Sequence, residues 1–186
     1  MRSISICLAV IAALVSPALA HTGLGQTSSF ASGIAHPIHG ADHILAMVAI
    51  GLWAALAGGR AIWAWPAAFI AMMLTGFAAA AFGLQMPFAE PAIWPWAIVF
   101  GLFVALAAKA PVWLGAAIAG LFAFFHGHAH GVEAAAVSPI PYAAGFSLAT
   151  AGLHLAGIAI GLFAKTVVAT ISLAGAVETE RQRCSR

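Results

Sequence analysis

Two short stretches concentrate the polar chemistry of this chain. HPIHGADHI (His36 to Ile44) places three histidines and an aspartate within eight residues. FHGHAHGVE (Phe125 to Glu133) adds three more histidines and a glutamate, so six of the eight histidines lie in two patches. Within the first patch, proline is favoured at the first helical position and the residue before it is not. A helix is therefore expected to start at Pro37, with His36 flanking it. His39 and His43 then share a face four residues apart, with Asp42 three from His39. In the second patch His126 and His130 are four apart and Glu133 follows three later. All three share a face if the helix persists. If Gly127 and Gly131 loosen it, Glu133 lies in the mouth instead. His128 points the other way and is expected either outside the site or at its entrance.

Imidazole and carboxylate without thiolate suit a borderline divalent ion: nickel, cobalt, zinc or copper(II). Binding needs neutral imidazole, so affinity should fall in acid. A lone membrane histidine often serves only as a helix–helix hydrogen-bond partner. Six in two patches, each with a carboxylate, fit that reading poorly. His154 stands alone in a later apolar run, where a packing hydrogen bond and a deeper stop for an ion are both open.

The remainder of the chain is the apolar frame for these groups. It has 186 residues, 63% hydrophobic and only 6% charged. A soluble domain carries about a quarter charged residues, so the expected solvent is lipid. A net charge of +2 with no basic patch excludes nucleic acid as a partner. Met1–Ala20 reads as a signal peptide: Arg2, an apolar Ile4–Val15 core, and Ala18-Leu19-Ala20 as the cleavage site. An uncleaved first helix is the alternative. Cleavage would make His21 the amino terminus. Cys7 would leave with that segment and Cys184 stands alone in the tail, so no disulfide or CxxC site is expected.

A spanning helix needs about 20 apolar residues. Pro37–Ala57, Ile62–Leu84, Ala92–Ala108, Pro111 to about Gly131, and Tyr142–Ala164 each fit that role. Thr166–Val177 is too short to cross alone. It either extends the fifth helix, lies at the interface, or forms a stunted sixth span. The expected fold is thus an all-α, polytopic transmembrane helix bundle of five spans plus that short sixth candidate. The expected organisation is a signal peptide (1–20), a periplasmic N-terminal segment (21–36), a membrane domain (37–177) and a charged cytoplasmic tail (178–186).

Arg60, Lys109 and Lys165 fall in alternate connections, and one topology puts all three on the cytoplasmic side. In it Trp63, Trp65 and Trp113 mark the inner interface, and Trp94, Trp96 and Tyr142 the outer one. Glu90 falls in an outer loop. Both histidine patches then lie at similar depth near the outer leaflet. Asp42 at that depth should face the protein interior and have a partner. Gly157 and Gly161 form a GxxxG pair, which favours close packing on a neighbouring helix. Met72, Met73 and Met86 read as lipid-facing or packing residues.

The motifs resemble those of the hydrogenase/urease accessory nickel permeases, the HupE/UreJ family. HPIHGADHILAM (His36 to Met47) is similar to its H-P-x-x-G-x-D-H-x-x-A-M signature. FHGHAHGVE is similar to F-H-G-x-A-H-G-x-E, and His21-Thr22-Gly23 and the LHLAG around His154 also match. The resemblance runs from His21 to about Gly161. It implies a secondary permease carrying nickel, or sometimes cobalt, across a bacterial inner membrane. The family positions it carries over are His36, Asp42, His43, His126, His130 and Glu133, and more weakly His154. His39 and His128 fall at variable positions of the motifs. The family usually ends in a full last helix, whereas here the apolar sequence stops at Val177.

No prosthetic group is expected; the ion, Ni2+ or Co2+, is cargo. The lipid bilayer and a homo-oligomer complete the expected partners. No P-loop is present, since Gly161 to Thr166 lacks the glycine spacing. Two other readings stay open: a sensor or delivery subunit that does not transport, and a membrane-embedded metal or bis-histidine haem protein.

Overall fold

The computed structural model describes residues 30–86, 89–134 and 138–185, which are built from six α-helices. The signal-peptide segment and His21 lie outside the described residues. In chain order the helices are α1 (Phe30–His39), α2 (Ala41–Ala57), α3 (Ala61–Ala81), α4 (Ala89–Ala105), α5 (Val112–Ala134) and α6 (Pro139–Cys184). Glu90 falls in the first turn of α4 and not in a loop.

The expected first span is broken. The helix does not begin at Pro37: α1 starts at Phe30 and holds Pro37 in its last turn. Proline there removes one i→i−4 bond near a helix end, a small loss compared with a mid-helix position. Gly40 is extended (φ −95°, ψ 115°) and caps α2. Its carbonyl accepts from Ile44 N–H at 3.0 Å. The chain bends 84° between α1 and α2.

Three helices are long and apolar enough to cross a membrane alone: α3, α5 and α6. The bent α1–α2 pair makes a fourth if it counts as one span. The expectation of five also counted α4. At 17 residues α4 falls short, reaching about 26 Å against a hydrocarbon core of about 30 Å. The run Thr166–Val177 continues the helix before it, so α6 extends unbroken over 46 residues. Its first half is packed into the bundle, and every described residue after Gly161 is exposed.

Helix pairs approach where glycine removes the side chain. α3 lies along α5, with Gly76 on the Phe124 backbone and Gly127 on the Met73 carbonyl. α2 lies along α6, with Gly51 against the His154 carbonyl and Gly157 against Val48 and Leu52. α1 meets α6 through Gly33 and Gly145 in the same manner. In lipid the hydrophobic effect does not drive helices together, so close backbone approach and van der Waals contact do the work.

Between these pairs runs a column of buried side chains at four-residue spacing. α3 contributes Trp65, Phe69, Met73 and Phe77; α6 contributes Tyr142, Phe146, Thr150 and His154; α5 contributes Phe122, His126 and His130. Residues four apart lie on one face, so each helix presents a continuous ladder to the interior. The end away from the histidine patches is closed by tryptophan. The rings of Trp53 and Trp65 stand 4.1 Å apart. Their indole N–H groups donate to the carbonyls of Ala108 (2.8 Å), in the α4–α5 connection, and Val112 (2.9 Å), the first residue of α5. Lys165 ties down the same end, donating to the Ala55 carbonyl at 2.8 Å, where a helix C-terminus favours a cation.

The aromatics read as interface anchors divide. Trp63 and Trp113 are exposed at helix starts, as anchors would be. Trp65 and Tyr142 are buried core residues. Trp96 packs on Phe100 and Phe122. Of the methionines, Met73 is buried and Met72 is exposed.

Candidate metal centre

Three helices bring the two patches together. His36 comes from the last turn of α1, His43 from the first turn of α2, and His130 from the last turns of α5. One ring nitrogen from each lies within 4.8 Å of the others. The bend at Gly40 makes this possible. On a straight helix His36 and His43 would be about 10 Å apart along the axis; here their rings stand 5.3 Å apart. A β-carbon at position 40 would run into His43 Nδ1 and Asp42 Oδ1, so the site needs glycine there for room, while the extended backbone of the bend is open to any residue.

The carboxylates stand behind the rings. Asp42 Oδ2 lies 3.1 Å from His43 Nδ1. His130 Nδ1 donates to Glu133 Oε2 at 3.1 Å. His130 Nδ1 thus bonds to a carboxylate, which accepts and cannot donate when ionised, and this selects for His130 the tautomer with a proton on Nδ1 and a lone pair on Nε2. His43 Nδ1 lies beside Asp42 Oδ2 without a hydrogen bond to it. The two Nε2 atoms then face each other at 2.9 Å. A proton carried on His43 Nε2, or a cation between the two nitrogens, satisfies the lone pair of His130 there. Two imidazole nitrogens bound at right angles to one ion, each at about 2.0–2.1 Å, would be about 2.9 Å apart. Carboxylate–imidazole–metal relays of this kind orient the ligand and raise its basicity. Of the two carboxylates expected among the ligands, Glu133 hydrogen-bonds to His130 and Asp42 lies within ion-pair distance of His43. Asp42 is buried, while Glu133 is exposed at the mouth.

His126 lies one turn below. Its ring is 4.8 Å from that of His43 and 4.7 Å from that of His130. It is fully buried, and neither of its nitrogens has a hydrogen-bond partner among the described residues. His154 is also buried with both nitrogens unpartnered, but it belongs to a deeper layer, edge-on to Phe69. Among the described residues, the packing hydrogen bond open to it in the sequence is not made.

Two histidines are turned to other tasks. His39 is exposed and donates from Nδ1 to the Ala35 carbonyl at 2.7 Å. His128 is buried on the opposite side of α5 and donates from Nε2 to the Leu84 carbonyl at 2.7 Å, fixing the end of the α3–α4 connection. Neither reaches the cluster.

Tyr142 is the neighbour that sequence reasoning missed. Its ring stands 6.1 Å from His36 and stacks on Phe77 and Phe146. Its position near a helix start suggested the interface. The signal that could have placed it is the four-residue series Tyr142, Phe146, Thr150, His154, which sets it on the face that carries a histidine.

Set against known proteins, the chain matches the family described as HupE / UreJ protein over residues 8–180. Protein HupE of Rhizobium leguminosarum bv. viciae is 38% identical over 177 residues, covering 89% of this chain and 93% of that protein. No solved structure matches.

Proposed function

The chain belongs to the HupE / UreJ family, and on that premise we propose that it is a secondary permease for a divalent transition-metal ion, nickel or cobalt. Membership supports a hydrogenase or urease accessory role in nickel/cobalt transport in general, and a transport protein in place of an enzyme. The observation that carries the finer reading is the cluster of His36, His43 and His130, drawn from three helices of an apolar bundle.

The proposed path begins at the histidine end, placed at the outer face of a bacterial inner membrane. The ion exchanges water for imidazole at His36, His43 and His130, with Asp42 and Glu133 holding the two facing rings. His126 takes it one turn deeper, and His154 lies further along the same column. A membrane potential, negative inside, contributes about 2.3 kcal/mol per charge per 100 mV to inward movement. Nickel and cobalt suit a nitrogen-rich set with flanking carboxylates and no thiolate.

The geometry favours this over haem ligation. Axial imidazoles on opposite sides of one iron would hold their nitrogens about 4 Å apart by the usual bond lengths, whereas His43 and His130 stand at 2.9 Å. Phe146 packs against His126 and His130, where a porphyrin would have to enter.

The test is ion-by-ion uptake in cells lacking other importers. Asp42→Asn and His43→Ala are each expected to abolish nickel accumulation while the protein is still made and inserted. Normal accumulation in both variants would remove the permease reading.

A further inference from the structure

The column of buried side chains is interrupted between its two lowest histidines. Phe69, fully buried on α3, stands there. Its ring centroid is 4.9 Å from that of His154 with the planes at 82°, and 6.2 Å from that of His126. Phe122 closes a further side at 5.7 Å. His126 and His154 are both buried, and all four of their ring nitrogens lack a hydrogen-bond partner among the described residues. Leaving a buried polar group unpaired is costly. Here two such groups flank one phenyl ring, which offers no lone pair to a cation or to water.

We propose that Phe69 is the gate of the cation path: its ring separates the outer chamber, which ends at His126, from an inner station at His154. The inference rests on the permease reading for its direction of flow. The physical basis is the hydrophobic constriction, which stops a hydrated ion by offering neither ligand nor room for water. Divalent ions bound by imidazole pass from His126 to His154 only when the ring swings aside. The unpartnered nitrogens on both sides are the ligands that such a transfer uses.

The experiment takes the full chain in proteoliposomes, with Ni2+ outside and a fluorescent Ni2+ chelator inside, beside equilibrium dialysis of radiolabelled Ni2+. Phe69→Ala is expected to raise the initial flux about tenfold, the effect of lowering one barrier by a single decade of rate. Phe69→Leu, closer in volume, should raise it less and serves if the alanine variant does not fold. Dialysis should find equilibrium Ni2+ binding unchanged in Phe69→Ala, because a gate sets rate and not occupancy, and the inner station lost in His154→Ala. A residue needed only for packing would lower flux in both single variants. Unchanged or reduced flux in a folded Phe69 variant overturns the gate, as does unchanged Ni2+ binding in His154→Ala. If the unaltered protein passes no Ni2+ but Phe69→Ala does, the partition stands and the permease reading fails. If the unaltered protein passes Ni2+ and the Phe69 variants behave identically to it, the reverse holds.

Discussion

Asp42 and Glu133 do related work from unequal positions. Each faces the Nδ1 of a histidine whose Nε2 points into the cluster. Asp42 is buried, so its charge is little screened; Glu133 is exposed and shares its charge with solvent. Replacing a carboxylate behind a ligating imidazole typically costs about 10–100-fold in metal affinity. Asp42→Asn should fall at the upper end of that range and Glu133→Gln at the lower, by equilibrium Ni2+ binding to the purified protein. An equal loss in both would mean that exposure does not set the difference. The histidines of α5 separate in the same manner. His130→Ala should remove high-affinity binding, while His128→Ala should leave it and lower thermal stability, because His128 holds the Leu84 carbonyl. The reverse order would mean that the wrong face of α5 lines the site.

Gly40 and the glycines of the helix crossings carry the element scale. Gly40 lies at the 84° turn between α1 and α2 and leaves room for the Asp42–His43 pair. Gly40→Ala is expected to weaken Ni2+ binding at least as much as Asp42→Asn, with helical content unchanged by circular dichroism. At the α3–α5 crossing, a β-carbon on Gly127 would run into the Met73 carbonyl. Gly127→Ala should cost about 1–3 kcal/mol, the usual range for overpacking a close contact, by unfolding in mixed micelles. Much of this was legible in the residues. The GxxxG of Gly157 and Gly161 announced close packing, and both glycines do meet α2. The break at Gly40 was not legible, because Pro37 is a strong start signal. Whether a helix starts there or ends just beyond depends on α6, which supports α1 through Gly33.

At the scale of the whole molecule, the site sits at one end of an apolar bundle and the tryptophan pair closes the other. Protons and the cation compete for the same imidazole nitrogens. Ni2+ affinity should therefore rise from acid toward neutral pH and fall again on acidification. Calorimetric titration across that range checks it, and a flat profile would count against imidazole ligation. Composition and the length of the apolar runs pointed to helices able to cross a membrane, with few charges among 63% hydrophobic residues. Residue type and spacing also marked the groups able to bind a metal, since i, i+4 periodicity reports which side chains share a face on one helix. Only the tertiary structure decided that Glu133 bonds behind His130, that Tyr142 lies beside His36, and that Phe69 touches both His126 and His154. Those relations join side chains from helices far apart in sequence, and periodicity within one helix carries no record of which neighbour its face will meet.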